Sequence, residues 1–493
     1  MPIRRIVAAV LFAWLPAAHA GLPAPVAEVL SSRGIPEESV SAFVIRDDTI
    51  VLDHLADRAR APASTMKMVT TAAALDLLGP VFRARTELLA VGDVKAGVLE
   101  GDLVLRGGAD LDLSPAALEK MMLSLRNQGI RRIAGKMIVD RSLFNPARLD
   151  AGVPPFDEYP DAYYNVIPDA VIVNGNLIEV DMRSTGAAMK LAMWPALEGV
   201  SIASEMELID APCAKWEDGW KTPEVRSEAG GKLKVVLRGT FPKYCDSAYQ
   251  VNVIDRQEYT GRAMQSAWKR VGGVFKGEVV EGKTPETARV LAEHTSRMLP
   301  ELVRDTNKTS DNLFARTLYL ALGSLESDPV RGSRPIAGAE TQSTLVRADA
   351  SVRAWMRSNG IGDDGLVIEN GSGLSRLERI TPIQMAGVLR AASNGNWLPE
   401  LQASMPIAGV DGTLRRRLKG TPAAQRARLK TGTLKDVVAL AGYVPDAAGR
   451  THIVVVMVND ERVGNGNGRA ITDALVEWVA RQGTVPSGPS PVF

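Results

Sequence analysis

The sequence contains few of the residues that metal or redox chemistry usually requires. Its 493 residues include two cysteines and four histidines, and the histidines are scattered along the chain. Neither a metal-ligand spacing nor a His-based catalytic triad is indicated, so we expect no metal and no other cofactor. The formal net charge is only +1, with 23% charged residues. The chain therefore gives no sign of the basic patch that a nucleic-acid-binding protein needs.

Long apolar runs are also missing, apart from a short one at the N-terminus. Arg4-Arg5 precede an apolar stretch at residues 6–15, and a small-x-small cleavage site follows at Ala18-His19-Ala20. The stretch is too short for a stable membrane span, and the pattern is that of a secretory signal peptide. We therefore predict that residues 1–20 are removed and that the mature protein is periplasmic.

The two cysteines are Cys213 and Cys245. An oxidising compartment favours disulfides, and two cysteines are enough for one bridge. We predict that this disulfide forms. Two buried free thiols are the alternative interpretation.

The length of the chain exceeds what one ordinary core accommodates, so at least two domains are expected. A hairpin is predicted around Asp47-Asp48, and a strand pair is predicted near the C-terminus, over residues 428–443 and 451–458. Helices are predicted between them, and one of these covers residues 287–303. This order indicates one sheet built from both ends of the chain. The predicted division is a catalytic α/β domain over residues 21–82 and 285–485, a β-rich insertion over 83–284 with two subdomains, and a flexible tail over 486–493.

An amphipathic helix is predicted after Ser64, because apolar residues then recur at steps of three and four. Ser64 and Lys67 are three apart and share a face of this helix. A lysine amine beside a serine hydroxyl near a helix N-terminus suits nucleophilic catalysis. The alternative interpretation is that Ser64 only caps the helix and that Lys67 is solvated. The spacing alone does not exclude this, because Ser266 and Lys269 have the same spacing and no other feature indicates that they are catalytic.

Two downstream motifs decide in favour of Ser64. Ser310-Asp311-Asn312 lies where a loop is predicted to enter a helix, and Lys430-Thr431-Gly432 lies on a predicted strand. Each motif alone could be a helix cap or a charged strand end. Together and in this order, after Ser-x-x-Lys, they are specific for penicillin-recognising acyl-transfer enzymes.

The chain resembles one family of these enzymes, the class C low-molecular-mass penicillin-binding proteins. These are the D-alanyl-D-alanine carboxypeptidase/endopeptidases of the penicillin-binding protein 4 type, peptidase family S13. The resemblance covers nearly the whole mature chain, with one departure at Asn370, where the family usually has Asp. The stretches that carry it are Pro62–Lys67, Gly101–Gly108, Lys308–Asn312, Gly371–Arg376 and Lys430–Thr433.

The resemblance implies a fold and an activity. The fold is the α/β, sheet-and-helix serine acyltransferase domain of the penicillin-binding protein/β-lactamase type, with a large β-rich insertion. The activity is that of a serine D-Ala-D-Ala carboxypeptidase, a DD-endopeptidase, or both, acting on peptidoglycan stem peptides through an acyl-enzyme. β-Lactam antibiotics would acylate the same serine. The resemblance is also compatible with peripheral membrane association and with a homodimer.

Residue types and resemblance together indicate the catalytic roles. Ser64 attacks the carbonyl between two D-alanines, and Lys67, if neutral, acts as the base. Ser310 returns the proton to the leaving amine. The backbone N–H groups of Ser64 and Thr433 form the oxyanion hole. The remaining expected site residues are Asn312, which holds Lys67 and the substrate amide, and Lys430, Thr431, Gly432 and Thr433, which form the strand that holds the substrate carboxylate.

The resemblance further implies an acidic residue of the insertion that contacts the free amine of the stem peptide. Asp161 is the best match and Asp157 the second, on a stretch over residues 154–168 that we expect to be an exposed loop. A solvated loop charge is the alternative interpretation.

Two other functions share some of these features. A β-lactamase carries the same three motifs, but no Glu-x-x-Leu-Asn follows Ser310 to drive deacylation, and the insertion would be unexplained. A non-catalytic scaffold could bind peptidoglycan or partners through the insertion.

Overall fold

The computed structural model describes residues 21–150 and 159–483. The predicted signal peptide and the predicted tail lie outside the described residues. The helices are α1 (Ala24–Arg33), α2 (Lys67–Leu78), α3 (Pro115–Asn127), α4 (Arg256–Arg270), α5 (Leu299–Lys308), α6 (Asn312–Leu322), α7 (Thr344–Ser358), α8 (Pro382–Asn394), α9 (Leu398–Ser404) and α10 (Asn467–Ala480).

The strands belong to one sheet near the two chain ends and to several sheets between them. They are β1 (Val40–Arg46), β2 (Thr49–His54), β3 (Arg85–Ala90), β4 (Val94–Lys95), β5 (Val98–Leu99), β6 (Leu103–Gly108), β7 (Arg132–Ile133), β8 (Met137–Asp140), β9 (Ile178–Ser184), β10 (Met189–Trp194), β11 (Val200–Ser204), β12 (Glu207–Ile209), β13 (Trp220–Glu228), β14 (Lys232–Pro242), β15 (Asp246–Val251), β16 (Val274–Phe275), β17 (Val279–Glu281), β18 (Arg289–Thr295), β19 (Leu325–Asp328), β20 (Gly332–Pro335), β21 (Arg428–Leu434), β22 (Val437–Pro445) and β23 (Thr451–Asn459).

The central sheet is built from both ends of the chain, as the sequence predicts. It has five strands in the order β2-β1-β23-β22-β21, and each neighbouring pair is antiparallel. The N-terminal hairpin turns at Asp47, whose φ of 52° is tolerated by aspartate better than by most residues. Strand β21 is an edge strand, so one of its sides remains available for a substrate backbone.

Both faces of the central sheet are covered, which explains why its strands are apolar without alternation. In β23, Val455 and Met457 join a core formed with helices such as α2, α6 and α8. The alternate residues Val454 and Val456 join a second core formed with α1 and α10. Because successive side chains of a strand point to opposite faces, a strand between two helical layers reads as a continuous hydrophobic run.

The insertion contains four sheets that share one hydrophobic cluster with α3 and α4. Its main sheet has the order β17-β8-β6-β3-β18. The disulfide predicted between Cys213 and Cys245 is present, with Cα atoms 5.2 Å apart. The predicted boundaries and subdomains stay predictions, but β18 lies beyond residue 284 and still pairs with β3.

Three predictions of local structure are wrong. The predicted helix over residues 287–303 begins as strand β18, which pairs with β3, and only then continues as α5. The predicted strand over residues 428–443 is a hairpin of β21 and β22. The helix after Ser64 has no solvent-exposed face over most of its length, because every residue from Lys67 to Leu75 is buried. In the first and third cases pairing or packing with distant segments overrides the local pattern, whereas in the second the chain turns at Lys435-Asp436 between two adjacent strands.

The insertion packs directly against α6 of the catalytic region. Arg316 of α6 donates a hydrogen bond to the carbonyl of Val166 at 3.0 Å. Leu313 of the same helix shares a small hydrophobic cluster with Val166 and Ile172. One edge of the insertion is thereby held beside the helix that begins at Asn312. No helix within the two described ranges is both long enough and apolar enough to cross a membrane.

Candidate active site

Ser64 lies in a short 3-10 turn, Ala63–Met66, that leads into α2. The turn is fixed by Thr65, whose hydroxyl donates to the carbonyl of Pro62 at 2.7 Å. The following helix is buried among α5, α6, α7 and α8, so the turn is attached to the rigid centre of the domain. Ser64 itself is half-buried and lines an open cleft.

Lys67 begins α2 and is completely buried beside Ser64. Its Nζ lies 3.1 Å from Ser64 Oγ, and it donates to Asn312 Oδ1 at 2.7 Å and to the carbonyl of Ser372 at 2.6 Å. Burial lowers the pKa of Lys67 to about 7. A neutral amine has two N–H groups, and two acceptors are in place for them. The lone pair is then left for the hydroxyl proton of Ser64.

The loop that supplies the Ser372 carbonyl explains the Gly-Ser-Gly sequence at residues 371–373. Gly373 has a φ of +78°, and a Cβ on it would lie 1.8 Å from the carbonyl oxygen of Ala63. Any side chain there would displace the turn that carries Ser64. Gly371 has a φ of +70°, and a Cβ on it would lie 2.7 Å from Thr70 Oγ1 and 2.8 Å from Tyr319 Cγ. The loop is thus packed against the nucleophile turn and α2.

Glu378 holds this loop in place and was missed by sequence reasoning. Its side chain is fully buried, and Oε1 accepts backbone N–H groups of Asn370 and Gly371, both at 2.9 Å, and of Glu369 at 3.2 Å. Its other oxygen has no partner among the described residues. Burial raises the pKa of Glu378, and its negative charge in turn raises that of Lys67. The available signal was a lone Glu in an otherwise apolar and basic stretch after Gly-Ser-Gly.

Asn370, the departure from the family pattern, is a turn residue. Its Oδ1 accepts the backbone N–H of Ser372 at 3.0 Å and the Ser372 hydroxyl at 2.6 Å. These are acceptor functions that an amide oxygen performs as well as a carboxylate does. The turn therefore keeps its geometry, and the negative charges that raise the pKa of Lys67 are those of Asp311 and Glu378.

The second motif contributes two side chains that point to different partners. Asp311 is the N-cap of α6 and accepts the N–H of Phe314 at 2.9 Å, so Ser310 is not needed as a cap. Ser310 has a φ of 65°, which is rare for a serine and turns its side chain towards the third motif. Asn312 Nδ2 donates to the carbonyl of Tyr164 at 3.1 Å, so the insertion reaches this part of the site.

The third motif lies on the edge strand β21. Lys430 is buried, and its Nζ donates to Ser310 Oγ at 2.9 Å and to the Thr431 carbonyl at 2.8 Å. Burial, together with the charge of Lys67, lowers the pKa of Lys430 well below its usual range. A Cβ on Gly432 would lie 2.6 Å from the carbonyl of Pro62, so only glycine lets the strand approach the nucleophile turn.

These residues open on a cleft of about 420 Å³. Thr431 Oγ1 donates to Thr413 Oγ1 at 2.7 Å, which joins the strand to the turn after Asp411. Within residues 21–150 and 159–483, no group of acidic, histidine and cysteine side chains could hold a metal ion. The cleft is lined by Ser64, Ser310, Gly412, Thr413, Arg415, Arg416, Arg417, Thr431, Thr433 and Arg469.

We expected Asp161 to be exposed, and it is buried instead. It is only 4% exposed, and its Oδ1 accepts the hydroxyl of Thr222 at 2.9 Å, so it faces the insertion's own strand β13. The adjoining turn does reach the site, through the Tyr164 carbonyl. Asp157 lies outside the described residues. The role of Asp161 in amine recognition stays a prediction.

The second Ser-x-x-Lys sequence lies apart from the active-site motifs. Ser266 and Lys269 belong to α4 of the insertion, where Ser266 is buried and Lys269 forms an ion pair with Glu198 at 2.9 Å. Among the described residues, neither side chain forms a hydrogen bond or ion pair with Ser310-Asp311-Asn312 or with Lys430-Thr431-Gly432.

Comparison with known proteins gives a consistent result. A family model described as the D-Ala-D-Ala carboxypeptidase 3 (S13) family matches residues 23–482. The D-alanyl-D-alanine carboxypeptidase DacB of Haemophilus influenzae is 26% identical over 456 residues, which are 91% of each chain. The D-alanyl-D-alanine carboxypeptidase of Actinomadura sp. is 30% identical over 404 residues, covering 80% of this chain and 72% of the relative.

The fold class predicted from the sequence is confirmed by a solved structure. The crystal structure of penicillin binding protein 4 from Haemophilus influenzae superposes with a TM-score of 0.75 at 24% identity, over 92% of this chain and 99% of that one. The same protein has been solved in complex with a β-lactam, and that structure superposes with a TM-score of 0.70.

Proposed function

Since the chain belongs to the S13 family of D-Ala-D-Ala carboxypeptidases, we propose that Ser64 is its acylated nucleophile and that Lys67 is the base. The enzyme is a serine-type DD-peptidase that acts on peptidoglycan stem peptides. The observation that carries the assignment is the arrangement around Lys67. Its two donated hydrogen bonds go to Asn312 and Ser372, while its third neighbour is the Ser64 hydroxyl.

Acylation begins when Ser64 Oγ attacks the carbonyl carbon between the two terminal D-alanines. The hydroxyl proton passes to Lys67 Nζ, which is available because its pKa is lowered to about 7. The oxyanion is stabilised by the backbone N–H groups of Ser64 and Thr433. Such preorganised donors each contribute roughly 100- to 1000-fold in rate.

Collapse of the tetrahedral intermediate breaks the carbon–nitrogen bond. The proton taken from Ser64 returns to the leaving amine through the hydroxyl of Ser310, which Lys430 holds at 2.9 Å. Water then attacks the acyl-enzyme and gives a proton to Lys67, which passes it to Ser64 Oγ as the ester bond breaks and the shortened peptide leaves. Each proton that leaves a nucleophile in this scheme reaches a named acceptor.

The carboxylate beside the scissile amide is held by Lys430, Thr431 and Thr433. Burial lowers the pKa of Lys430, and the negative charge of a bound carboxylate would raise it again. We therefore expect Lys430 to be cationic with substrate bound. A β-lactam carries a carboxylate in an equivalent position and acylates Ser64, but its ring prevents rapid departure of the leaving amine.

The experiment that tests this function combines labelling with product analysis. Penicillin should add its own mass to a peptide that contains Ser64, and Ser64→Ala should abolish the adduct. Defined muropeptides should lose D-alanine, or be split at the cross-link, only with the parent enzyme. An adduct on Ser310 or Ser266 would contradict the assignment.

The same experiment separates the alternative functions. Steady-state turnover of a chromogenic cephalosporin, rather than a single slow acylation, would indicate a β-lactamase. Absence of any penicillin adduct on the folded protein would favour a non-catalytic scaffold.

We further propose that the protein is exported to the periplasm by cleavage after residue 20. The state of assembly and any contact with the membrane surface are separate from this proposal.

A further inference from the structure

The active-site cleft holds more positive charge than the reaction itself requires. Its lining residues include four arginines and no acidic residue. Arg417 is occupied, because it donates to Asp473 Oδ1 at 2.6 Å and to Thr472 Oγ1 at 2.9 Å. Arg415, Arg416 and Arg469 are exposed, and among the described residues none of them has a recorded ion pair or side-chain hydrogen bond.

Arg469 lies where a cation weakens the fold. It belongs to the first turn of α10, which contains no acidic residue and has no side-chain cap. The N-terminus of a helix carries partial positive charge, so an arginine there is repelled unless an anion is nearby. Arg415 and Arg416 are likewise adjacent in sequence to a third arginine. Charge of one sign gathered without partners at the mouth of the cleft indicates an anionic ligand.

Arg415 and Arg416 lie on the side of the cleft where the leaving group departs, and Arg417 joins their turn to Thr472 and Asp473 of α10, the helix that carries Arg469. Thr413, two residues before Arg415, is joined to Thr431 on the strand proposed to hold the carboxylate beside the scissile bond. The turn at Asp411 is fixed by an ion pair with Lys308 at 2.6 Å, next to the second motif. Arg415 and Arg416 therefore continue from a braced turn outwards from that carboxylate.

A leaving D-alanine cannot use this charge. It bears a single carboxylate, for which Lys430, Thr431 and Thr433 already provide the contacts. A cross-linked substrate differs, because its leaving group is an entire second stem peptide. That peptide carries the carboxylate beside the released amine and additional carboxylates along its length.

We propose that Arg415, Arg416 and Arg469 are specificity-determining residues that bind the additional carboxylates of this second stem peptide. The inference rests on the proposed function, since it concerns the leaving group of the same reaction. It makes the cleft selective for cleavage of cross-links over removal of terminal D-alanine. Exposed arginine–carboxylate pairs are individually weak, so selectivity is expected from the three acting together.

The test compares the triple variant Arg415→Ala/Arg416→Ala/Arg469→Ala with the parent on three substrates. These are a D-Ala cross-linked stem-peptide dimer, the same dimer with the additional carboxylates of its leaving stem amidated, and the monomeric pentapeptide. The ratio of kcat/KM for the dimer to kcat/KM for the pentapeptide should fall about ten-fold in the variant. The amidated dimer should show the lower ratio already with the parent enzyme.

A matched control carries the same loss of charge elsewhere. Arg33, Arg132 and Arg289 are exposed, have no recorded ion pair among the described residues and are not cleft-lining residues. Replacement of all three by alanine should leave the substrate ratio at the parent value. Replacement of the three cleft arginines by lysine should restore part of the ratio, because charge is kept while the planar fork is lost.

The outcomes distinguish this inference from the proposed function. Absence of a penicillin adduct on Ser64 of the parent would overturn both. A labelled, active parent whose substrate ratio is unchanged in the triple variant, or changed equally in the control, would overturn the inference alone. Increasing ionic strength should lower kcat/KM for the dimer more steeply in the parent than in the triple variant. Equal salt dependence would also contradict the inference.

Discussion

The carbonyl oxygen of Ser372 binds Nζ of Lys67 at 2.6 Å, although the two residues are 305 positions apart. The contact occupies one N–H of the amine, and Asn312 occupies another. The amine of Lys67, the proposed base, is therefore oriented by a loop from outside the three motifs. That loop depends on two glycines and on the buried carboxylate of Glu378.

The first prediction concerns the pH dependence of acylation. Because burial lowers the pKa of Lys67 to about 7, the neutral and active form of the base accumulates as pH rises through that value. The second-order rate of acylation by a fluorescent penicillin should therefore increase with pH, reach half of its maximum near pH 7 and level off about one unit higher. A rate that is independent of pH across this range would contradict a titrating base.

The second prediction concerns replacement of the base. Lys67→Arg keeps a positive charge but cannot accept a proton, because guanidinium remains protonated. We expect acylation of Ser64 to fall by several orders of magnitude, measured by intact-mass labelling over time. Lys269→Arg is the matched control, since it makes the same exchange in the other Ser-x-x-Lys sequence. Near-normal labelling of a folded Lys67→Arg protein would rule out the role.

The third prediction concerns Glu378. Glu378→Gln keeps an oxygen acceptor for the backbone N–H groups of the loop but removes one of the two carboxylate charges, those of Asp311 and Glu378, that raise the pKa of Lys67. The midpoint of the acylation profile should shift to lower pH, by up to about one unit. Glu369→Gln is the control, because its exposed side chain lies in the same loop. An unshifted midpoint would indicate that Glu378 is uncharged.

Glu378→Ala should behave differently, because it leaves buried N–H groups without an acceptor. Each unsatisfied group costs about 1–3 kcal/mol. We expect a lower free energy of unfolding and a loss of acylation at every pH, measured by chemical denaturation and by labelling. Equal behaviour of the Gln and Ala variants would contradict the positioning role.

The fourth prediction concerns Asp161. Its carboxylate accepts the hydroxyl of Thr222, so Asp161→Asn is a milder change than alanine. If the carboxylate also binds the free amine of the stem peptide, kcat/KM for such peptides should fall about ten-fold or more. Acylation by simple penicillins, which lack the amine, should hardly change. Equal losses on both substrates, or on neither, would remove Asp161 from substrate recognition.

The fifth prediction concerns the disulfide of Cys213 and Cys245, which closes a loop with a sequence separation of 32. Replacing both cysteines by serine should lower the free energy of unfolding of this region by about 3–4 kcal/mol in the chain-entropy model. Trp216 lies in this loop and packs against Trp220 and against Tyr249, which follows the loop, at ring-centroid distances of 5.7 and 5.3 Å. Tryptophan fluorescence therefore reports the transition, and an unchanged midpoint would contradict the prediction.

The sequence alone predicted the chemistry well because that chemistry depends on short, ordered motifs. Ser64 and Lys67 are close because residues three apart share a helical face. The hairpins at both chain ends follow from apolar strands beside turn residues. Predictions failed where a distant partner decides, as at β18, which forms a strand because it pairs with β3.

The spacing of the proposed catalytic residues was therefore predicted from the sequence, whereas their electrostatics were decided by the tertiary structure. Burial lowers the pKa of Lys67, the carboxylates of Asp311 and Glu378 raise it, and none of these effects is encoded in local spacing. The same holds for Asp161. The local composition predicted an exposed side chain, but packing within the insertion buries it. Desolvation depends on all the atoms around a group, so only the folded chain defines it.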